Sequence, residues 1–213
     1  PGKTGDRYRL ALPGHARADR QLVATTARPR VRPGTHFGAD SERRNSHRGH
    51  TGQGPVIDPA APPDRYRPCV GILLLNQSDQ IFVGERLDAP DAWQMPQGGI
   101  DPGESALDAA IRELREETSI ETTKPIGVDD TWRTYTLPRE ISRKAWGGKF
   151  LGQAQIWVAF RFTGEDADID ISTDEPEFGR WKWTDPKTLI REIVDFKRDI
   201  YRDVLAAYPS WKI

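Results

Sequence analysis

From residue 65 onward, apolar and polar positions change rhythm several times along the chain. Residues 69–75 (CVGILLL) form a short unbroken apolar run, the pattern of a strand buried on both faces. A polar turn at residues 76–79 leads to residues 80–86 (QIFVGER), a second strand that so short a connection makes antiparallel. Residues 88–102 hold no periodicity and read as loop. Ser105, with Asp108 three residues on, then opens a helix in the manner of a capping box. Leu107, Ile111 and Leu114 recur at the spacing of one apolar helical face. Further on, residues 130–138 and the alternating residues 153–163 (QAQIWVAFRFT) read as strands, with the basic stretch 139–148 between them as loop. Residues 181–183 make a short strand and residues 185–208 one or two closing helices. Strands interleaved with helices on both sides predict an α/β/α sandwich. Trp93, Trp157, Trp181 and Trp183 fall in or beside the strands and are expected in core and sheet packing.

Residues 1–64 have another character. They are rich in Arg, Gly, Pro, Thr and Ala, with almost no aliphatic periodicity and 11 Lys or Arg against 6 Asp or Glu. Such a segment is expected to be a disordered tail, ahead of one domain at residues 65–208 and a short end at 209–213. Residues 21–38 lack acids and carry Arg28, Arg30 and Arg32, faintly like an organelle transit peptide. The scarcity of serine and the acids elsewhere in the tail argue against import, and a cytoplasmic setting is the expectation.

Charge and cysteine content narrow the classes. A net charge of −1 announces neither a nucleic-acid nor a membrane partner, and no apolar run approaches the ~20 residues that span a bilayer. The single cysteine, Cys69, excludes an internal disulfide, favours a reducing compartment and reads as a buried thiol. All four histidines (His15, His36, His47, His50) lie in the tail. Histidine-based zinc sites and Ser–His or Cys–His catalysis are therefore unavailable to the domain. Carboxylates, Lys, Tyr and metal-bound water remain.

The candidate chemistry lies in residues 98–120, GGIDPGESALDAAIRELREETSI. At about 100° per residue, Glu113, Glu116 and Glu117 fall within a roughly 100° arc of the helix. Taken alone, an acidic helix face is a solvated surface. This one follows a Gly98–Gly99 pair, a Pro102–Gly103 turn and an isolated Glu104, and Arg112 stands four residues before Glu116. Glycines let backbone approach an anion, and an i,i+4 arginine can orient a ligand carboxylate. An all-oxygen cluster suits a hard divalent cation.

The spacing G-x5-E-x7-R-E-U-x-E-E-x-G-U (U aliphatic) resembles the Nudix box, with Gly98, Glu104, Arg112, Glu113, Leu114, Glu116, Glu117 and Ile120 in register. Ser119 departs from it, standing where the pattern has the glycine that closes the helix. The flanks occur in family order: YRP at residues 66–68, WQMPQGGI at 93–100, RxYxLP at 133–138, GQxQ at 152–155, PEF at 176–178 and FKR at 196–198. Together they resemble the RNA 5′-pyrophosphohydrolase branch, which overlaps with dinucleoside tetraphosphate hydrolases.

The resemblance implies a Nudix α/β/α sandwich with a mixed sheet. It implies Mg²⁺, with Mn²⁺ able to substitute, held by Glu113, Glu116, Glu117, Glu177 and a carbonyl of Gly98 or Gly99. Glu177 is a ligand or the base, and the four glutamates are the catalytic set. Arg67 and Arg86 take phosphate-contacting positions, Phe196 a base-stacking one, and Tyr135 and Gln153 pocket positions. Glu104 and Arg112 brace the loop against the helix. The implied substrates are 5′-triphosphorylated RNA or dinucleoside polyphosphates, with no membrane partner and a monomer favoured. A non-catalytic nucleotide-binding domain and a housekeeping hydrolase of sugar or oxidised nucleotides are the competing readings. The complete set of box acids speaks against the first, and the flanking motifs against the second.

Overall fold

The structure, a computed structural model, describes residues 61–211. The expected tail lies almost wholly outside the described residues. The chain runs β1 (Tyr66–Leu75), β2 (Ile81–Arg86), β3 (Trp93–Gln94), β4 (Gln97–Gly99), α1 (Ala106–Thr118), β5 (Thr123–Thr136), α2 (Arg139–Trp146), β6 (Gly152–Phe162), β7 (Phe178–Thr184), α3 (Pro186–Glu192) and α4 (Arg198–Ala207).

β1 organises the sheet. It pairs in parallel with β6 along its whole length, from Tyr66↔Gly152 to Leu75↔Arg161. On its other side it pairs antiparallel with β2 at Leu75↔Ile81 and with β4 from Cys69↔Gly99 to Gly71↔Gln97. β5 extends the sheet beyond β6, while β3 and β7 both pair with β2. The result is one mixed seven-stranded sheet.

Alternation along β1 divides the core, since successive side chains leave opposite faces. Val70, Ile72 and Leu74 join Phe82, Phe160 and Phe178 under α1, with Ala109, Ala110 and Leu114 from the helix. Leu73 and Leu75 join Val83, Trp157 and Met95 on the other face, covered by Leu189, Ile200, Tyr201 and Val204. Helices thus cover both faces of the sheet, as the sequence predicts. Of the four tryptophans assigned to packing, Trp157 is fully buried, and Trp181 and Trp183 pack against the Phe82 ring. The Trp157 indole also lies on bare backbone: a Cβ on Gly71 would sit 2.5 Å from its Cε2 atom.

The helix ends follow from local chemistry. Ser105 Oγ accepts from the Asp108 backbone N–H at 3.1 Å, and its hydroxyl donates to the Asp108 carboxylate at 2.7 Å. Asp108 therefore answers the cap through the side chain and leaves the Ser105 N–H out of the box. At the far end Ser119 adopts φ 58°, ψ 9°, and its N–H reaches the Arg115 carbonyl at 2.9 Å. The left-handed closure survives without glycine.

Several expectations need correction. The face that α1 turns to the sheet is Ala106, Ala109, Ala110, Leu114, Glu117 and Thr118, whereas Ile111 is 47% exposed. The helix is rotated by roughly 75° from the Leu107–Ile111–Leu114 stripe, at about 100° per residue. Alanines let it approach closely, and its glutamates need the inward side. The stretch 139–148 is not loop: α2 occupies most of it and ends at Gly147 in the left-handed conformation. The loop expected at 88–102 contains β3 and β4. β5 begins seven residues before the expected 130, with irregular register at Pro125/Gly127 and Asp129/Arg133. It is an edge strand, where a proline is tolerated.

Candidate active site

Where β4 passes the middle of α1, the sequence places backbone without side chains. A Cβ on Gly98 would coincide with the Glu113 carboxyl group, and one on Gly99 would collide with Arg67 Nη2. Only glycine lets the carboxylate and the guanidinium come this close to the strand. Arg112 locks the loop to the helix: Nε and Nη2 donate to the two Glu104 carboxylate oxygens, each at 2.8 Å, and Nη2 also donates to the Gly99 carbonyl at 2.8 Å. Its Nη1 reaches Glu113 at 2.7 Å and Glu116 at 3.3 Å. The bracing expected of Glu104 and Arg112 is a planar, bidentate fork.

The glutamates are not equivalent. Glu117 is buried, with one carboxylate oxygen accepting from the Gln97 N–H at 3.3 Å and the other, Oε1, without a hydrogen-bond partner. Burial, reinforced by the charges of Glu177 and Glu113, pushes its pKa well up. Burial also raises Glu113, which Arg112 partly offsets. Glu177 follows: burial raises its pKa, and the Arg86 charge pulls the other way. The PEF segment brings it in through a backbone bond from the Leu87 N–H to its carbonyl, while Asp174 and Glu175 stay exposed. Glu116 lies apart, with its side chain 45% exposed and turned to Arg112.

The residues pass a test of fit for a hard divalent cation. Buried, mutually repelling carboxylates and an orphaned Glu117 oxygen call for positive charge, and every donor is oxygen. Among the described residues, no three His, Cys, Asp or Glu side chains stand gathered tightly enough to enclose an ion. Arg112 holds Glu113 and Glu116 instead.

Beyond the carboxylates opens an apolar cleft, continuous with solvent, lined by Trp93, Tyr135, Leu137, Ile141, Ile193 and Phe196 among others. Phe196 and Tyr135 present tilted rings with centroids 5.9 Å apart. Phe196 is therefore a cleft residue as well as a packing one, and so is Trp93, whose ring carries Lys182 Nζ at 4.0 Å. Arg86 lies at the inner end, held by Asp88 through Nε at 2.8 Å and Nη2 at 2.5 Å. Burial opposes its charge, and Asp88, Glu177 and Glu117 more than offset that. Gln153 does not face the cleft openly; its oxygen accepts from the Tyr135 hydroxyl at 2.8 Å and from Gln155 Nε2 at 3.0 Å. Cys69 is buried as expected, with burial lifting its thiol to about 12, and Arg67 Nη1 lies 3.6 Å from the sulfur.

Sequence reasoning missed Lys197. Its ammonium is buried in the cleft floor, donating to Gln94 Oε1 at 2.8 Å and Gln97 Oε1 at 3.0 Å. Burial and the neighbouring Arg86 bring its pKa down to about 7. The signal was its place inside the FKR motif, where only the phenylalanine was read.

A mixed sheet between helices, with inward-facing carboxylates beside a basic, aromatic cleft, defines an α/β enzyme whose candidate site is acidic at one end and aromatic at the other. The NUDIX domain family model matches residues 65–204, and the chain belongs to the Nudix family. It is 50% identical to an RNA pyrophosphohydrolase of Rhodospirillum rubrum over 148 residues, covering 70% of this chain and 90% of that protein. It is 43% identical to the chloroplastic Nudix hydrolase 26 of Arabidopsis thaliana over 156 residues, covering 70% of this chain and 72% of the other. Among solved structures, the E. coli dihydroneopterin triphosphate pyrophosphohydrolase superposes with a TM-score of 0.54 at 20% identity, covering 66% of this chain and 97% of that one. That likeness is one of fold.

Proposed function

We propose that this chain is a divalent-metal-dependent RNA 5′-pyrophosphohydrolase, converting a 5′-triphosphate end to a 5′-monophosphate, releasing pyrophosphate and so promoting RNA decay. The observation that carries this is the adjacency of two unlike halves. Buried carboxylates meet an aromatic cleft, with Arg86 and Lys197 between them. A 5′-polyphosphorylated nucleotide has the matching two ends. The similarity to the Rhodospirillum rubrum protein supports the choice of RNA.

In this reading Glu113, Glu116, Glu117 and Glu177, with the Gly98 carbonyl, hold Mg²⁺, or Mn²⁺ in its place. When bound, such ions neutralise phosphate oxygens and acidify the attacking water. The chain's own groups do the rest. Arg86 and Arg67 draw the polyphosphate toward the carboxylates, and Lys197 anchors it from the cleft floor. Phe196 and Tyr135 stack the base, an interaction worth ~1–3 kcal/mol per base. Glu177 takes the water's proton at its carboxylate as the water oxygen bonds to phosphorus at the α–β anhydride. That P–O bond breaks, and the departing group leaves against the arginines, giving the 5′-monophosphate and pyrophosphate. A dinucleoside tetraphosphate would offer the same groups, and its asymmetric cleavage would give ATP and AMP. A cytoplasmic setting suits the single unbridged thiol.

The test is a competition in Mg²⁺ between a short 5′-triphosphorylated RNA and diadenosine tetraphosphate. Pyrophosphate from the RNA should dominate, and Glu117→Gln should cut the rate by at least about 100-fold in a folded protein. Dominant ATP release would make the chain a dinucleotide hydrolase. Turnover of neither substrate would favour a binding domain.

A further inference from the structure

The two walls of the cleft carry their charge differently. On the α3 side, Lys182 and Arg191 pair with Glu192, and Arg198 pairs with Asp195. On the α2 side, Arg139, Arg143, Lys144 and Lys149 are all exposed, and Glu140 is the one acid among residues 139–151. None of these four cations is in an ion pair among the described residues. Four like charges on so short a segment repel one another. The end of α2 favours Arg143 and Lys144 and the Phe150 ring lies 5.1 Å from Lys149 Nζ, but no carboxylate among the described residues pairs with any of the four.

The segment is also tied to both ends of the site. Ile141, on the same helix, lines the cleft. Past the helix, the Leu151 N–H donates to the Arg65 carbonyl at 2.7 Å, which lays residues 149–151 against the start of β1. Two residues along that strand, Arg67 lies over Gly99. A run of cations therefore leads from the carboxylates, through Arg67 and Arg65, to Lys149 and α2.

We infer that α2 and residues 147–151 form a sequence-independent track for the sugar–phosphate backbone of the RNA downstream of the nucleotides held in the cleft. The inference rests on the RNA reading above. Cations spaced along one ridge meet successive phosphates without reading bases. Ion pairing neutralises much of the opposite wall, where Glu192 serves both Lys182 and Arg191 and Asp195 serves Arg198, so the strand leaves the cleft over α2. A mononucleotide or a dinucleoside polyphosphate is too short to use the track, so the surface favours RNA by length.

Arg143 and Lys144 do not line the cleft and pair with no carboxylate among the described residues, so Arg143→Gln/Lys144→Gln isolates the track. Wild-type and variant are compared on a 5′-triphosphorylated dinucleotide and on an unstructured 5′-triphosphorylated RNA of about 20 nucleotides, across a salt series. Wild-type KM should be lower for the long RNA, and the variant should lose that advantage, raising KM about tenfold at low salt. Dinucleotide kinetics should stay within about twofold, and the log–log salt slope for the long RNA should fall by about 1.4, at ~0.7 per lost single-strand phosphate contact. Equal KM for both lengths in the wild-type, or equal losses on both substrates in the variant, would overturn the track while leaving the pyrophosphohydrolase reading intact. Tight binding of anionic phospholipid vesicles, abolished in the variant, with no dependence on RNA length, would overturn it in favour of a membrane surface. Failure of the wild-type to hydrolyse either RNA would bring down the reading itself, and the track with it.

Discussion

Ser119 shows how far one residue can depart from a motif without disturbing what the motif holds. Its backbone takes the left-handed conformation a glycine would take, and its N–H still closes the helix. The cost is local, because a Cβ in that region is worth up to about 1 kcal/mol and no ligand is displaced. Ser119→Gly should therefore raise stability by about 0.5–1 kcal/mol, or about 1–4 °C in Tm for a chain of this size. Turnover should stay as it was. Thermal melts and a rate assay check both halves, and a large gain in rate would mean that the serine distorts Glu116 and Glu117. Lys197 teaches the opposite lesson. A lysine between an aromatic and an arginine reads as surface in a sequence, and only its burial between Gln94 and Gln97 reveals it.

Among the elements, legibility depended on whether one neighbour or several decided the structure. β1 and β6 were readable because burial on both faces leaves an unbroken apolar run. The box helix was readable from its cap, but its rotation was not: Glu113 and Glu117 face inward, and hydrophobicity alone places them outward. α2 was hidden by its shortness and charge: its apolar side is little more than Ile141 and Trp146, which pack on the core, among four basic or acidic neighbours. The β2–β7 pair holds a further detail that sequence leaves out. Glu85 is buried, accepts from Arg180 through Nε at 2.5 Å and Nη2 at 2.8 Å, and takes the Asp91 N–H at 2.8 Å. The Arg180 hydrogen bonds and charge hold its carboxyl below the ordinary value of 4.5. A depressed carboxylate stabilises the fold fully above the unfolded pKa and loses that contribution as pH falls through the folded one. Glu85→Gln should thus lower Tm by a few degrees at pH 7, and the gap should close as pH drops below about 4. A gap of the same size in acid would assign the stabilisation to packing.

Across the whole molecule, the carboxylates gather where β4, α1 and the loop before β7 meet, so no single segment owns the site. Repulsion there is a charge the folded state carries and the unfolded chain does not. Binding of a divalent cation to the folded form alone should relieve it, and saturation at about 100 times Kd would add about 2.7 kcal/mol of stability. Mg²⁺ should therefore raise the Tm of the chelator-treated protein, and Glu117→Gln should blunt the rise. A melting curve indifferent to Mg²⁺ and Mn²⁺ would remove the metal assignment from these residues, whatever the activity. No helix among the described residues is long and apolar enough to cross a membrane.

The contact of the Trp157 indole with the bare backbone at Gly71 has a historical consequence. A side chain at position 71 has nowhere to go while the tryptophan is present. Shrinking the tryptophan first would open a cavity, and a loss of that size costs about 3–5 kcal/mol. Each step alone descends into a fitness valley, whichever comes first. The two positions should behave as one inherited character, exchanged together or kept together, while their neighbours on the strand drift freely among aliphatic residues.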